Sequence, residues 1–387
     1  MGKYPSCPER NLRVHTKSDN QDSRARLLRV FPTQTGPSSK AAETFRKKYT
    51  TRRKLDMKID VHNHFYPAKF LKRLETEGQA VGISVEKDEW ERPILVQHGN
   101  RVVTITPPMS NISKRIEDMD QAGFHMEILT LSIPSVDIFP MEIAETLARV
   151  VNDEYSQICN DHPDRFMAFA TLPFLDPERT VKELDRCIDE LGFKGACIGS
   201  NINGIGLDNE LLYPFYERMS HYNLPIHIHP RAPQDKETYR DYRLAPMIGF
   251  EMDLCVAVVR LIMGGVMDKF PDLKFIVSHL GGAIPYLAER IENCYEAYPE
   301  CKENISGPAK GYLKRFYYDT VSFFEPALMC AYAFVGADHL VLGSDYPHVI
   351  GDIREAITSI EGLDIPQAEK EMIYSGNILR LIDGDKY

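Results

Sequence analysis

The chain has 387 residues, 43% of them hydrophobic and 26% charged, with a formal net charge of −10. These are ordinary globular values, enough for one large α/β barrel or two smaller domains whose core needs no staples. The acidic balance argues against nucleic acid as the main partner, and no apolar run reaches the roughly 18–20 residues of a membrane span.

The eight cysteines, Cys7, Cys159, Cys187, Cys197, Cys255, Cys294, Cys301 and Cys330, form no C-x-x-C pair and show no disulfide framework. With no signal peptide, free thiols in a reducing compartment are expected, which points to a cytoplasmic protein.

Residues 1–56 hold 14 Lys and Arg against 5 Asp and Glu, so the acidic excess belongs to the rest of the chain. This stretch is polar, basic and weakly periodic, and is expected to be a disordered N-terminal extension without a catalytic role. It opens M-G-x-x-x-S, with Gly2, Ser6 and then Cys7, an acylation pattern short enough to arise by chance. Its scarcity of acids also fits a weak transit peptide. Met57 stands directly before the first strand, where a compact barrel would start.

From there short β-rich runs recur. They are 58–64 (KIDVHNH), 127–133 (EILTLSI), 166–173 (FMAFATLP), 195–200 (GACIGS), 225–230 (PIHIHP), 274–279 (KFIVSH), 316–320 (FYYDT) and 340–345 (LVLGSD). Helical periodicity fills the intervals, as in 180–192 and 254–270, with Gly192 and Pro271 at the expected stops. Strands alternating with helices imply a parallel sheet. Eight such units imply a (β/α)8 TIM-like barrel over residues 57–387, with its site at the C-terminal ends of the strands. The one long connection, 65–126, contains ILVQHGNRVVTITP, which reads as a hairpin about Gly99 and Asn100. It is expected to be an insertion covering the barrel mouth.

The strand ends collect the chemistry. The first ends H-N-H, giving His62 and His64, which share a face because residues i and i+2 of a strand do. The fifth ends H-I-H-P, the sixth S-H-L-G-G with His279, and the eighth G-S-D-Y-P-H with Asp345. Of His227 and His229, the latter lies nearer the strand end and is the expected ligand. Neutral imidazole and carboxylate suit zinc and similar divalent ions, and three His with one Asp leave room for water or substrate. A lone His at a strand end is usually a satisfied polar group, and His125 and His348 are read so. Asp345 alone could cap a following turn. Four such ends in one barrel are another matter.

Together DVHNHFYP (60–67), RIEDMD (115–120), LPIHIHP (224–230), FPDLKFIVSHLGGAIPYLAERIE (270–292) and LVLGSDYPH (340–348) resemble the amidohydrolase superfamily. More narrowly they are similar to the amidohydrolase 2 group that includes aminocarboxymuconate-semialdehyde decarboxylase. The resemblance implies a (β/α)8 barrel with one divalent metal, usually zinc with manganese as the other candidate, and no organic cofactor. It implies His62, His64, His229 and Asp345 as ligands, and His279 as base or proton shuttle, with Asp345 sharing the proton work. It further implies two arginines for a carboxylate substrate: Arg290, eleven residues after His279 and supplied to a neighbouring subunit of a homodimer, and Arg101 in the insertion. The competing reading of Arg290 is a helix-surface ion pair with Glu289 or Glu292. After His229 the chain reads Pro230-Arg231, closer to resorcylate-type and carboxyvanillate-type decarboxylases than to the muconate enzyme, and Arg231 joins the candidate substrate binders. An arginine can grip a carboxylate through two parallel hydrogen bonds.

The expected activity is therefore metal-dependent, non-oxidative decarboxylation of a small unsaturated or aromatic carboxylic acid. The alternatives are a metal-dependent hydrolase or hydratase acting on a lactone, amide or unsaturated dicarboxylate, and a metal-binding protein without turnover. Fold alone does not choose among them.

Overall fold

A computed structural model describes residues 57–384, apart from positions 234 and 236. The expectations for residues 1–56 lie outside the described residues.

Eight parallel strands follow one another in chain order: β1 (Ile59–His64), β5 (Met126–Thr130), β6 (Phe166–Ala168), β7 (Ala196–Gly199), β10 (Pro225–His229), β11 (Lys274–Val277), β12 (Tyr317–Asp319) and β13 (Leu340–Val341). Each of the eight β-rich runs of the sequence overlaps one. They pair as β1-β5-β6 and as β7-β10-β11-β12-β13. The two sheets also meet at both edges. Ala170 bridges to Ala196 beyond β6, and Asn63 of β1 bridges to Tyr346 beyond β13. Val61 N–H donates to Leu342 O at 2.9 Å and Cys197 N–H to Ala170 O at 3.0 Å across those seams.

All six residues of β1 are buried, and so are all five of β5 and of β10. These strands are therefore covered on both faces, as parallel strands commonly are. One apolar cluster takes Ile59 and Val61 from β1, Ile128 from β5, Met167 and Phe169 at β6, Ile276 from β11 and Val341 from β13. Strands that far apart in the pairing order can touch only on the inner side of the sheets. Ile378, Leu379, Leu381 and Ile382 of the helix Asn377–Asp383 belong to the same cluster. The larger cluster packs the helices against the outer face.

Two expectations change. The run 254–270 is not one helix but Phe250–Met263 followed by Val266–Lys269. Gly265, at φ 76°, makes the break, because it takes a left-handed conformation that costs other residues more. The insertion holds more than a hairpin: β3 (Pro93–Gln97) and β4 (Asn100–Thr104) pair antiparallel, and β2 (Ile83–Lys87) adds a third strand. A small antiparallel pair, β8 (Asn201–Ile202) and β9 (Ile205–Gly206), follows β7.

Candidate metal centre and active site

The first ligands are placed by an irregularity. Asp60 pairs with Glu127 but Asn63 with Leu129, so β1 carries one extra residue and bulges. A bulge re-aims the side chains around it. Asp60 Oδ1 accepts the His62 N–H at 3.0 Å, and its second oxygen accepts the Ser344 hydroxyl, which ties β1 to the segment after β13. Arg115, fully buried, ion-pairs with Glu127 and donates to His64 O at 2.8 Å and Asn63 Oδ1 at 2.7 Å. A buried pair of this kind holds its geometry because losing one partner strands the other charge. Gly343 supplies the closeness: a Cβ there would stand 3.0 Å from His62 Cβ and 3.1 Å from Asp319 Cβ.

His62 Nε2 and His64 Nε2 are 3.2 Å apart, and Asp345 Oδ1 lies 3.1 Å from the second and 3.4 Å from the first. One ligand atom from each of His62, His64, His229 and Asp345 falls within 4.8 Å of the others, and all four residues are buried. Ligands about 2.1 Å from one ion stand roughly 3.0–3.4 Å from each other. The spacing and the donor types fit a divalent ion. Among the described residues His229 Nδ1 and His279 Nε2 are buried without a hydrogen-bond partner. His279 Nε2 is 3.8 Å from Asp345 Oδ2, and its other nitrogen meets Glu251 Oε1 at 2.9 Å.

The charges follow from burial and proximity. Desolvation opposes a proton on His62, but Asp319 and Asp345 overcome it and raise its pKa to about 10. Burial takes His64 and His229 well below the ordinary histidine range and His227 to about 3. Burial would raise Asp345, yet hydrogen bonds from His62 and His64 hold it well below the usual carboxylate range. Asp319 and Asp345 thus favour a positive charge between them, a role that a proton on His62 can fill. A bound ion takes over that role, because imidazole must be neutral to ligate. Burial also works against a proton on His279, and Glu251 outweighs it and raises the pKa.

The structure thus brings together His62, His64, His229, His279 and Asp345 as the sequence placed them. His227 lies behind, its Nε2 at 2.9 Å from Ser278 Oγ. Asp345 caps no helix; the next helix, Ile353–Glu361, is capped by Asp352. His348 is a satisfied polar group, 2.9 Å from Ser132 Oγ, but its ring also lies 4.9 Å from that of His64. His125 accepts from Lys58 N–H, at the far end of the strands.

The arginines divide. Arg231 stands two residues past His229, mostly buried, with Nη2 at 2.8 Å from Asp137 Oδ1. Arg101 is exposed on β4, bonded to Thr104. Arg290 is exposed on the helix Ile284–Ala297. The surface ion pair weighed for it does not form: Lys310 takes Glu289 through Nζ at 2.7 Å and Glu292 through its backbone N–H at 2.6 Å. Among the described residues neither Arg101 nor Arg290 bonds to the cluster.

Sequence reasoning missed Asp319, Glu251 and the role of Arg115. Asp319 closes a β-rich run and was readable as a strand-end acid. Glu251 lies on a helix and gave no such signal, and Arg115 sits in a quoted motif that says nothing of what it touches.

The profile of the family described as Amidohydrolase matches residues 59–383. The chain belongs to that family. It is 29% identical over 339 residues to 2-amino-3-carboxymuconate-6-semialdehyde decarboxylase of Dictyostelium discoideum, covering 86% of this chain and 93% of that one. It is 33% identical over 289 residues to gamma-resorcylate decarboxylase of Polaromonas sp., covering 69% and 86%. A crystal structure of a dihydroxybenzoic acid decarboxylase from Polaromonas sp., with bound manganese and the inhibitor 2-nitroresorcinol, superposes with a TM-score of 0.71 at 28% identity, over 86% of this chain and 98% of that one. The cluster here is a single divalent-metal site, and the manganese bound in that structure is a divalent ion.

Proposed function

We propose that this amidohydrolase is a metal-dependent, non-oxidative decarboxylase of a small aromatic or unsaturated carboxylic acid. The observation that carries the reading is the His62, His64, His229 and Asp345 cluster with His279 beside it, in a chain whose compared relatives are decarboxylases. Those relatives decide against the hydrolase or hydratase alternative. The strand pairing, linked at both edges, supports a (β/α)8 barrel whose mouth the insertion 65–126 covers, and the bond from Arg243 Nη1, beyond β10, to Arg101 O at 3.2 Å supports that placement of the insertion.

His62, His64, His229 and Asp345 would hold the ion, zinc as first candidate and manganese as second, since imidazole and carboxylate suit both. When bound, it withdraws electron density from a substrate oxygen and offsets charge that develops as the C–CO2 bond breaks. That bond leaves its electron pair on carbon. His279 is placed to supply the proton that replaces CO2, so no oxidant or reductant is needed. Glu251 Oε1, 2.9 Å from its Nδ1, favours the protonated ring. Arg231, held by Asp137, binds the substrate from within the subunit. Arg101 binds it from the insertion and Arg290 from a partner subunit.

The homodimer is supported by one helix face. Tyr286 and Arg290, one turn apart, are both exposed, and Tyr286 keeps 82% of its surface open. The seven described cysteines are free, in support of a reducing compartment, the cytoplasm, and no helix of the described residues is long and apolar enough to cross a membrane.

CO2 release by metal-replete protein is the test, run on ortho-hydroxybenzoates and on amino- and hydroxymuconate semialdehydes. Release from one class, lost in His279→Ala, is the expected result. Bound metal without release from any member would overturn the assignment. Mixing His279→Ala with Arg290→Ala tests the shared site: restored turnover in the mixture is expected, and none in either parent.

A further inference from the structure

The carboxylate of Asp319, at the end of β12, is fully buried and points its two oxygens at two different parts of the site. Oδ2 lies 2.6 Å from His62 Nδ1. Oδ1 accepts the Val321 N–H at 3.0 Å and the Leu280 N–H at 3.3 Å. Leu280 follows His279 directly, so one side chain meets both a ligand ring and the turn that carries the proton donor.

That turn needs holding. His279 and Leu280 have φ of 52° and 56°, and Gly281 and Gly282 follow at 75° and 62°. Two consecutive non-glycine residues in the left-handed region are strained and persist only where their surroundings hold them. Glycine is required after them, because a Cβ on Gly281 would strike the Tyr318 ring at 2.5 Å and one on Gly282 the Glu251 backbone at 2.3 Å. The rings of His62 and His279 stack, 5.1 Å between centroids and 17° between planes.

Asp319 could instead be a ligand, since His62, His227 and Asp319 also stand close enough to share an ion. The 2.6 Å contact argues otherwise. It is a charge-assisted hydrogen-bond length, shorter than the roughly 3.0–3.4 Å between two ligands of one ion. A His62 that donates from Nδ1 presents its Nε2 lone pair to His64 and Asp345.

We infer that Asp319 is a positioning residue that fixes His62 to ligate through Nε2 and, through Leu280, locks the His279 turn to that same ligand. The inference rests on the decarboxylase reading only for its second half. A metal ligand's other nitrogen commonly meets a carboxylate, and removing such a partner weakens metal binding about 10- to 100-fold. The second half is particular to this fold: the same carboxylate sets the place of the proton donor.

The experiment uses the full chain, stripped of metal and titrated with Mn2+ while free Mn2+ is followed by electron paramagnetic resonance. Asp319→Asn is expected to bind Mn2+ about 10- to 100-fold more weakly. At saturating Mn2+ its kcat is expected to stay reduced at least about 10-fold with KM within a factor of about 3, because a displaced His279 hinders proton delivery more than substrate binding. A merely structural role would lower Tm and leave Mn2+ affinity as in the wild type, which would overturn the inference. Full recovery of kcat at saturating Mn2+ would overturn the link to His279. If the decarboxylase reading itself fails, the wild type shows no turnover while the affinity difference still appears. Should Asp319→Asn not fold, nitrogen NMR of the Zn2+-loaded wild type, labelled with 15N-histidine, answers the first half. A protonated Nδ1 on His62 is expected, and a zinc-bound Nδ1 would overturn it.

Discussion

The strands have two ends that could hardly differ more. At one end Ile59, Val61, Ile128 and Ile276 close on each other and on the last helix. At the other, His62, His64, His229, Asp319 and Asp345 are as deeply enclosed but polar, with the half-buried His279 beside them. In β1 the change takes one step, from Val61 to His62. Each apolar side chain withdrawn from water contributes about 1.5–3 kcal/mol. Each buried charge at the opposite end costs free energy unless something pairs with it. The enzyme is thus stable at one end so that it can hold an unfavourable but reactive group of side chains at the other.

The largest expected effect falls at the polar end. Asp345→Ala should lose bound metal and all turnover, checked by elemental analysis of the purified protein and a CO2 assay; chelation of the wild type should reproduce the activity loss. His279→Ala should keep its metal while kcat falls about 10²- to 10⁴-fold. Equal metal loss in both variants would undo the division between ligand and proton donor. At the apolar end, Ile276→Ala should lower unfolding free energy by about 2–5 kcal/mol in urea titration, yet leave metal content and kcat of the folded fraction unchanged. A loss of metal in that variant would show that the two ends are not separable. The smallest effect is a shift in pH. Glu251 favours the protonated form of His279, so Glu251→Gln should lower that pKa and move the His279 limb of the kcat/KM profile to lower pH. A limb that stays in place would remove Glu251 from the proton-transfer apparatus.

Much of the site was legible because its residues break the pattern of the elements that carry them. A histidine or aspartate at the end of an apolar run stands out, and four such runs identify one another. Glu251 and Arg115 were not legible, since both sit on helices where charged residues are ordinary. Asp319 was half legible: an acid at a strand end was visible, but nothing in the sequence says that its neighbours across the sheet are His62 and Leu280. The helix break at Gly264 and Gly265 could have been read from two adjacent glycines, and the third strand of the insertion could not, because β2 is short and mostly exposed.

What the sequence determined by itself was the order and type of the elements, the residues at their ends and, from those, a divalent-metal site of the amidohydrolase kind. Local propensity and periodicity set the elements, and both act over a few residues; the amidohydrolase kind came from the resemblance of the motifs at their ends. Only the tertiary structure decided which nitrogen of His62 faces the cluster, which carboxylate steadies the His279 turn, and that Lys310 rather than Arg290 takes Glu289 and Glu292. Those are contacts between residues far apart in the chain, and a hydrogen bond made or missed by one ångström leaves no trace in spacing or composition.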